Sequence, residues 1–299
     1  MAKKLLFIIN PKAGKAQIKN RLVQILDLFT KYHYEVTVHV TQARMDGYEC
    51  AKKMAEQYDI VVCSGGDGTM SEVVKGVMEC KHQPLLGYIP AGTTNDFASS
   101  LHLFKDMNKS AKTVVDGVPY LCDIGHFNQD IFTYVAAFGV FTDVTYQTPQ
   151  GEKNTLGHLA YILEGAKRLH TIRSYHVVVE HDGETIEDDL ILGMITNSSS
   201  IGGFKGISGK NIQMDDGLFE VTLIKPLRNP LEFQAAVNAL ISKTPNPNLM
   251  YHFKTSKITF QCQEPIAWTL DGEFGGEQTE VTIQNQKHAI TILRPVRKR

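Results

Sequence analysis

Three short polar stretches of this chain carry residues that could bind or transfer a phosphate group. The central stretch is Ser64-Gly65-Gly66-Asp67-Gly68-Thr69, which follows an apolar run at 60–63 and precedes a helix-like stretch at 70–74. Glycines let the main chain approach a ligand closely, and a helix N-terminus offers N–H groups and the positive end of a dipole to an anion. The stretch predicts a phosphate site, although a plain Gly-Asp-Gly turn would also explain it.

The two other polar stretches also follow predicted strands. The apolar run at 5–9 ends in Asn10-Pro11-Lys12-Ala13-Gly14-Lys15, and the strand-like run at 84–89 ends in Pro90-Ala91-Gly92-Thr93-Thr94-Asn95-Asp96-Phe97. The first is not a P-loop, because Ala16 stands where Ser or Thr would hold a metal ion. It remains a second candidate for a phosphate contact.

The elements that must position these loops alternate between strand and helix up to about Cys122. Apolar residues recur at helical spacing from Ile18 to Phe29, and valines alternate with polar residues over 35–40. Such alternation predicts a parallel sheet that binds ligands at the carboxyl ends of its strands, where all three loops fall.

After Cys122 the pattern changes to short strands joined by turns such as Asp182-Gly183 and Asp216-Gly217. The predicted strands are 131–137, 174–181, 190–196, 218–225, 256–262, 266–270, 280–284 and 289–294, and the predicted helices are 156–170 and 231–241. We therefore expect an α/β domain over residues 1–125, to which 290–299 could return, and a β-rich domain over 126–289.

Composition narrows the class of protein. The chain has 299 residues, of which 42% are hydrophobic, so it can form two domains with buried cores. A formal net charge of -1 argues against nucleic-acid binding, and five cysteines without a C-x-x-C pair favour a reducing compartment. No apolar run approaches the roughly 18 to 20 residues of a spanning helix, and residues 1–4 lead directly into a strand, so we expect a soluble cytoplasmic protein.

Taken together, these motifs resemble the diacylglycerol kinase catalytic family, specifically its soluble bacterial lipid kinases, which are related to sphingosine and ceramide kinases. The resemblance covers the three loops, Asp123-Ile124-Gly125, Lys153 with Gly157-His158-Leu159-Ala160-Tyr161, Asn197, Asp215-Asp216-Gly217-Leu218 and Asp271-Gly272-Glu273. One departure lies between Gly203 and Asp215, where the family's Ala-Pro-x-Ala segment is missing. The resemblance implies a Rossmann-like nucleotide domain, similar to that of phosphofructokinases and NAD kinases, followed by a β-rich sandwich domain.

The resemblance also implies the residues of the site. The residues expected to contact ATP are Asn10, Pro11, Lys12, Ala13, Gly14, Thr41, Gly66, Asp67, Gly68, Thr69, Met70, Ser71, Glu72 and Thr93. A structural Mg²⁺ is expected on Asp216, with carbonyl oxygens from Gln213 and Leu218, since hard oxygen ligands suit this ion. Glu273 is expected to be the general base that takes the proton of the lipid hydroxyl.

Several of these residues also have a purely structural interpretation. Asp67 could hold Mg²⁺ against the phosphates as a catalytic residue, or it could brace its own turn. Asp96 is interpreted as a helix N-cap, and Asp271-Gly272 would suit a hairpin turn whatever the role of Glu273.

The predicted function is transfer of the γ-phosphoryl group of ATP to diacylglycerol, with Mg²⁺ as cofactor. The alternatives are a kinase for another lipid alcohol such as a sphingoid base, a kinase for NAD, and a nucleotide-sensing module without catalysis. Because the substrate is a lipid, a secondary hypothesis is weak electrostatic attachment to anionic lipid at a membrane surface through basic residues, which are Lys167, Arg168, His170, Arg173, Arg294, Arg297, Lys298 and Arg299. The alternative is that the basic residues near the predicted helix at 156–170 form a solvated helix end that compensates the helix dipole. The assembly state is left open between a monomer and a homodimer.

Overall fold

The computed structural model describes residues 2–140, 172–202, 204–205 and 212–296. The chain divides into two compact units, one formed by Met1–Ile124 with Gln286–Arg299 and the other by Gly125–Asn285. The predicted helix at 156–170, Lys153 and the basic residues Lys167, Arg168, His170, Arg297, Lys298 and Arg299 lie outside the described residues. In the described ranges, no helix is both long and apolar enough to cross a membrane.

The first unit contains a parallel sheet with the strand order β16-β4-β3-β1-β2. Its strands are β1 Lys3–Ile9, β2 Tyr34–Val40, β3 Ile60–Gly65, β4 Leu85–Pro90 and the last residues of β16 Glu273–Arg294. Its helices are α1 Ile18–Lys31, α2 Asp46–Met54, α3 Asp67–Met78, α4 Asp96–Ser100 and α5 Met107–Asp116, with a 3-10 turn at Ala55–Gln57. The predicted alternation of strands and helices is confirmed.

The core of the first unit follows from the apolar pattern of its elements. Strand β3 is buried along its whole length, as expected for a central strand with a helix on each face. Helix α1 turns Ile18, Ile25 and Phe29 inward, and the Phe29 ring meets Phe7 of β1 edge to face with 5.7 Å between ring centroids. This packing fixes the carboxyl ends of the strands, from which the loops emerge.

The second unit is a mostly antiparallel β structure with the strand order β14-β13-β10-β7-β15-β16; β8 pairs with β15, and β9 pairs with β8. The strands are β5 Val118–Phe127, β6 Asp130–Phe132, β7 Val135–Gly139, β8 Tyr175–His181, β9 Glu184–Leu190, β10 Leu192–Thr196, β13 Phe219–Ile224, β14 Met250–Thr255, β15 Lys257–Leu270 and β16. A two-stranded ribbon, β11 Ser200–Ile201 with β12 Phe204–Lys205, and helix α6 Pro230–Ser242 complete the described elements. Its core is rich in aromatic residues, with the Phe138 ring 4.8 Å from the Trp268 ring.

Some predicted strand boundaries are wrong for identifiable physical reasons. The strands predicted at 256–262 and 266–270 form one strand, because register shifts between Gln261 and Ile266 accommodate Pro265, which has no N–H to donate. The strand predicted at 131–137 is divided, since the N–H groups of Thr133 and Tyr134 bond to a carboxylate instead of a neighbouring strand. The acidic strand β9 was not predicted from the sequence.

Strand β16 is longer than the two short strands predicted for the end of the chain. It runs without a break across 285–288, and residues from Gln286 onward belong to the first unit. The predicted returning segment began at 290 instead. Strand β5 likewise crosses from the first unit into the second.

Candidate active site

Helix α3 connects the three loops of the candidate site in the first unit. It begins directly after the glycine-rich turn, and Gly66 is its N-cap. A side chain at Gly65 would place a Cβ 2.5 Å from the Cβ of Thr69, so the turn closes only with glycine there. Three side chains of α3, Asp67, Thr69 and Glu72, each bond to a different neighbouring loop.

Asp67 bonds to the loop that follows β4. Its carboxylate accepts the N–H of Asp96 at 3.0 Å and the N–H of Phe97 at 3.2 Å, and the Thr94 hydroxyl donates at 3.4 Å. The side chain is 8% exposed. Asp67 therefore braces the N-terminus of α4, a different structural role from the predicted bracing of its own turn. The interpretation of Asp96 as an N-cap is wrong, because Asp96 is the first helical residue and Asn95 is the N-cap.

Thr69 bonds to the loop that follows β1. Its hydroxyl accepts a hydrogen bond from the Asn10 side-chain amide at 2.9 Å, and the Asn10 oxygen accepts the N–H of Lys12 at 3.0 Å. Gly14, in the same loop, has a φ of +54°, and a Cβ there would lie 2.2 Å from the carbonyl oxygen of Ala91. The Asn10–Gly14 loop thus contacts the loop after β4 through the main chain.

Glu72 bonds to the loop that follows β2. Its two carboxylate oxygens accept the N–H groups of Met45 at 2.8 Å and Gly47 at 3.2 Å. Burial raises the pKa of the Glu72 carboxyl, while these two hydrogen bonds act in the opposite direction. Thr41, in the same loop, is 9% exposed and donates its N–H to the Ile9 carbonyl at 2.9 Å.

The remaining residues predicted to contact ATP fall into two groups. Lys12 and Thr93 are exposed, and Pro11, Gly68 and Ser71 are partly exposed, so their side chains or main chain can meet a ligand. Ala13 is buried and Met70 lies in the core with no exposed surface, so they could contribute only main-chain groups.

The sequence did not predict the role of Asn95. Its amide accepts the N–H of Gly92 at 2.9 Å and donates to the Gly92 carbonyl at 2.8 Å, which closes the turn after β4. Its φ of +52° is the left-handed conformation that Asn tolerates better than most residues. A Cβ on Gly92 would lie 2.7 Å from the Cα of Gly66, so the loops after β3 and β4 pack backbone to backbone.

In the second unit, Glu273 begins β16 directly after a two-residue turn. Asp271 and Gly272 have φ values of +53° and +82°, and Leu270 pairs with Glu273 across the hairpin. The predicted hairpin is confirmed, and it has the Asp-Gly sequence that this left-handed turn favours. Glu273 is exposed, as is its neighbour Phe274.

The side chain of Asp271 holds this turn in place. Its buried carboxylate accepts the N–H and hydroxyl of Thr133 at 2.7 and 2.8 Å, and the N–H groups of Tyr134 and Val135 at 2.9 and 3.2 Å. Burial raises the pKa of Asp271, and these four hydrogen bonds oppose the rise. Asp271 is thus a structural anchor for the hairpin that presents Glu273.

Asp216 lies in a turn before β13. Its Oδ1 accepts the N–H of Leu218 at 3.0 Å, and its Oδ2 lies 3.5 Å from Nζ of Lys254, which is closer to Oε1 of Glu220 at 2.6 Å. Gln213 is exposed. In the described part of the chain, no group of three or more His, Cys, Asp or Glu side chains could hold a metal ion.

Comparison with known proteins agrees with this architecture. A family model described as the diacylglycerol kinase catalytic domain matches residues 4–127, and one described as the YegS C-terminal NAD kinase beta sandwich-like domain matches residues 135–294. The diacylglycerol kinase of Bacillus subtilis (strain 168) is 33% identical over 293 residues, which cover 97% of this chain and 96% of that protein. The diacylglycerol kinase of Staphylococcus carnosus (strain TM300) is 31% identical over 99% of this chain and 96% of that protein.

Solved structures show the same fold. The crystal structure of a diacylglycerol kinase from Bacillus anthracis str. Sterne superposes with a TM-score of 0.77 at 22% identity and covers 98% of this chain and 97% of that one. Another structure from the same organism gives a TM-score of 0.83 at 24% identity with the same coverage. Fold and sequence together define a lipid kinase. The chain belongs to the diacylglycerol kinase family.

Proposed function

We propose that this protein transfers the γ-phosphoryl group of ATP to the free hydroxyl of diacylglycerol, giving phosphatidic acid. The observation that carries the proposal is the bracing of three loops by one helix, α3, at the carboxyl ends of parallel strands. Phosphoryl transfer depends on positioning and electrostatic stabilisation more than on covalent chemistry, so a preformed loop cluster suits it.

The nucleotide phosphates are proposed to bind at the N-terminus of α3, where Gly66 and Gly68 leave room for close approach by the main chain. Lys12 is exposed in the neighbouring loop and supplies a positive charge. Asp67 contributes chiefly by holding the loop after β4, because two main-chain N–H groups already occupy its carboxylate.

Glu273 is proposed as the general base. As the acceptor oxygen forms its bond to the γ-phosphorus, the bond from that phosphorus to the leaving oxygen of ADP breaks, and the hydroxyl proton passes to the Glu273 carboxylate. The exposure of Glu273 at the start of β16 leaves the carboxylate accessible to an acceptor.

Mg²⁺ is proposed to bind at the Asp216 turn, with main-chain oxygens of Gln213 and Leu218. The residues present fit the ion in chemistry, since a partly exposed carboxylate is held in place by the Leu218 N–H. Among the described side chains, the carboxylates of Asp216 and Glu220 both pair with the ammonium group of Lys254, so two negative charges meet one positive charge there. When bound, the ion would stabilise this turn.

The membrane surface is proposed as the place where the lipid substrate is met. Two of the predicted basic residues lie in the described ranges and have partners: Arg173 pairs with Glu264, and Arg294 lies 3.8 Å from the Tyr120 ring centroid. Support for this proposal therefore comes from the substrate class. Sedimentation with anionic and neutral vesicles tests it, and equal binding to both would contradict an electrostatic attachment.

The acceptor is tested by incubating the protein with labelled ATP and, separately, diacylglycerol, a sphingoid base or NAD. We expect label in diacylglycerol alone, and the Glu273→Gln variant run in parallel shows that transfer needs the proposed base. Label in the sphingoid base or in NAD instead would show that this compound, and not diacylglycerol, is the acceptor. Binding of ATP without label in any acceptor would favour a nucleotide-sensing module.

A further inference from the structure

Glu72 caps a helix to which it does not belong. It lies on the second turn of α3, and its carboxylate accepts the N–H groups of Met45 and Gly47 at the N-terminus of α2. The N-cap residue of α2 is Met45, which supplies no side-chain hydrogen bond. The Glu72 carboxylate therefore satisfies two of the main-chain donors that a helix N-terminus leaves unpaired, and it suits the positive end of the helix dipole.

The main chain at this cap is strained. Met45 has a φ of +65°, a left-handed conformation that an unbranched apolar side chain does not favour. Such a conformation persists where the surroundings hold it. At Gly47 an added Cβ would lie 2.9 Å from Oε2 of Glu72, so the carboxylate and α2 are in close contact.

The loop between β2 and α2, residues 41–45, is bound at both ends. At the β2 end, Thr41 donates its N–H to the Ile9 carbonyl at 2.9 Å, and Gln42 donates its N–H to Asp46 at 2.7 Å. At the α2 end, Glu72 holds Met45. Thr41, the residue of this loop expected at the nucleotide, is thereby tied to the same helix whose N-terminus is the proposed phosphate site.

We propose that Glu72 is a positioning residue, which holds the 41–45 loop and Thr41 for nucleotide binding, and that its carboxylate is not itself a nucleotide ligand. Both of its oxygens already accept main-chain N–H groups, and the side chain is half-buried. This inference rests on the proposed nucleotide-dependent function and assigns a role to Glu72 within it.

The test is amide hydrogen exchange in the nucleotide-free protein, followed by calorimetric titration with ATP. Glu72→Gln has one acceptor oxygen fewer and turns an amide N–H₂ toward a donor, so exchange at Met45 and Gly47 should accelerate about tenfold or more, the effect of losing one hydrogen bond to a charged group. ATP affinity should fall in the same variant. If Glu72 contacted the nucleotide without holding the loop, ATP affinity would fall while exchange in the nucleotide-free protein stayed at the parent rate.

Glu79→Gln is the matched control. Glu79 follows the last residue of α3 and joins the same two helices, through the side chains of Tyr48 and of Lys52, the latter at 2.8 Å, without contacting the N–H groups of Met45 or Gly47. Removing its charge should leave exchange at Met45 and Gly47 and ATP affinity at parent values. A loss of both in this variant would mean that any weakening of the contact between α2 and α3 has the effect, which would overturn a specific role for Glu72.

Gly47→Ala disturbs the same contact from the α2 side and leaves the Glu72 side chain unchanged. Its added methyl group displaces the carboxylate, so it should reproduce the faster exchange and the weaker ATP binding. Unchanged protection in both Glu72→Gln and Gly47→Ala would overturn the proposal, as would lost protection with parent ATP affinity. Failure of the parent protein to bind ATP would instead refute the proposed function. The exchange rates would then still show whether Glu72 holds the 41–45 loop.

Discussion

Asp271 and Thr133 are joined by two hydrogen bonds across 138 positions of the sequence: the Asp271 carboxylate accepts the Thr133 N–H at 2.7 Å and its hydroxyl at 2.8 Å. The same carboxylate accepts two further N–H groups, from Tyr134 and Val135. The turn that carries Glu273 is thus tied to the start of β7.

Replacing this anchor should destabilise the fold. Asp271→Asn keeps one acceptor oxygen and turns an amide N–H₂ toward buried donors, which should cost about 3 kcal/mol of unfolding free energy. Urea unfolding measures the loss. Asp182→Asn is the control, because Asp182 occupies the equivalent Asp-Gly turn of the β8–β9 hairpin with a side chain 57% exposed, and it should change stability by less than about 0.5 kcal/mol. Equal losses in both variants would show that the turn and not the anchor matters.

A methyl group at Gly14 should disturb the proposed nucleotide site. Gly14→Ala must keep a φ of +54°, which costs roughly 1–2 kcal/mol, and its Cβ would clash with the Ala91 carbonyl oxygen at 2.2 Å. We expect weaker ATP binding by calorimetry. Gly183→Ala has a φ of +83° with no atom within 4 Å of the added Cβ, so it should lose comparable stability and keep ATP affinity. If Gly14→Ala binds ATP as the parent does, the Asn10–Gly14 loop does not form part of the site.

Removal of Mg²⁺ should destabilise the parent protein through the Asp216 turn. A ligand present at a hundredfold excess over its Kd adds about 2.7 kcal/mol of stability, and Asp216→Asn should lose most of that gain in thermal unfolding with and without Mg²⁺. Asp189→Asn removes a carboxylate from β9, which is not part of this turn, and should keep the Mg²⁺ response. If Asp216→Asn kept the full stabilisation by Mg²⁺, the ion would not bind at this turn.

Glu273→Gln should separate catalysis from folding. General-base assistance supplies about 10² to 10⁴-fold in rate, or roughly 3 to 5 kcal/mol of barrier, so turnover should fall by that factor while melting temperature and ATP affinity hold. Glu277→Gln, an exposed glutamate on the same strand, should turn over at the parent rate. A Glu273→Gln protein with parent turnover would exclude Glu273 as the base.

The sequence predicted the first unit well because its signals are local. Buried apolar runs, helical spacing and glycine-rich turns each act within one element, and they gave the strand-to-helix order and the position of the loops. The role of Asp67 in bracing α4 depends on a contact between loops that are about 30 positions apart in sequence, so no local pattern indicated it. Asn95 closes its own turn through Gly92, and the apolar and helical patterns do not report such a polar contact within a loop.

The second unit was harder to predict for physical reasons. Pro265 and the polar residues at 285–288 break the alternation of apolar and polar residues, yet register shifts and the continuous β16 absorb them. Among the described strands, β9 pairs with β8 alone. Its acidic residues would discourage pairing with other chains, and they also interrupt the apolar pattern by which a strand is predicted from sequence. Glu72 shows the same limit at the site: the resemblance implied a nucleotide contact for it, and no local pattern indicated that its carboxylate accepts two N–H groups at the N-terminus of α2.

The path of β16 has a consequence for synthesis of the protein. Among the described strands, the second neighbour of β4 is the end of β16, where Ile292 pairs with Leu86. While the ribosome is still making Gly125–Asn285, the first unit lacks that strand, and the edge of β4 has free N–H and C=O groups. The first unit therefore completes its sheet after the β-rich unit has been translated, and a nascent chain that stops early exposes a strand edge that can pair with other chains.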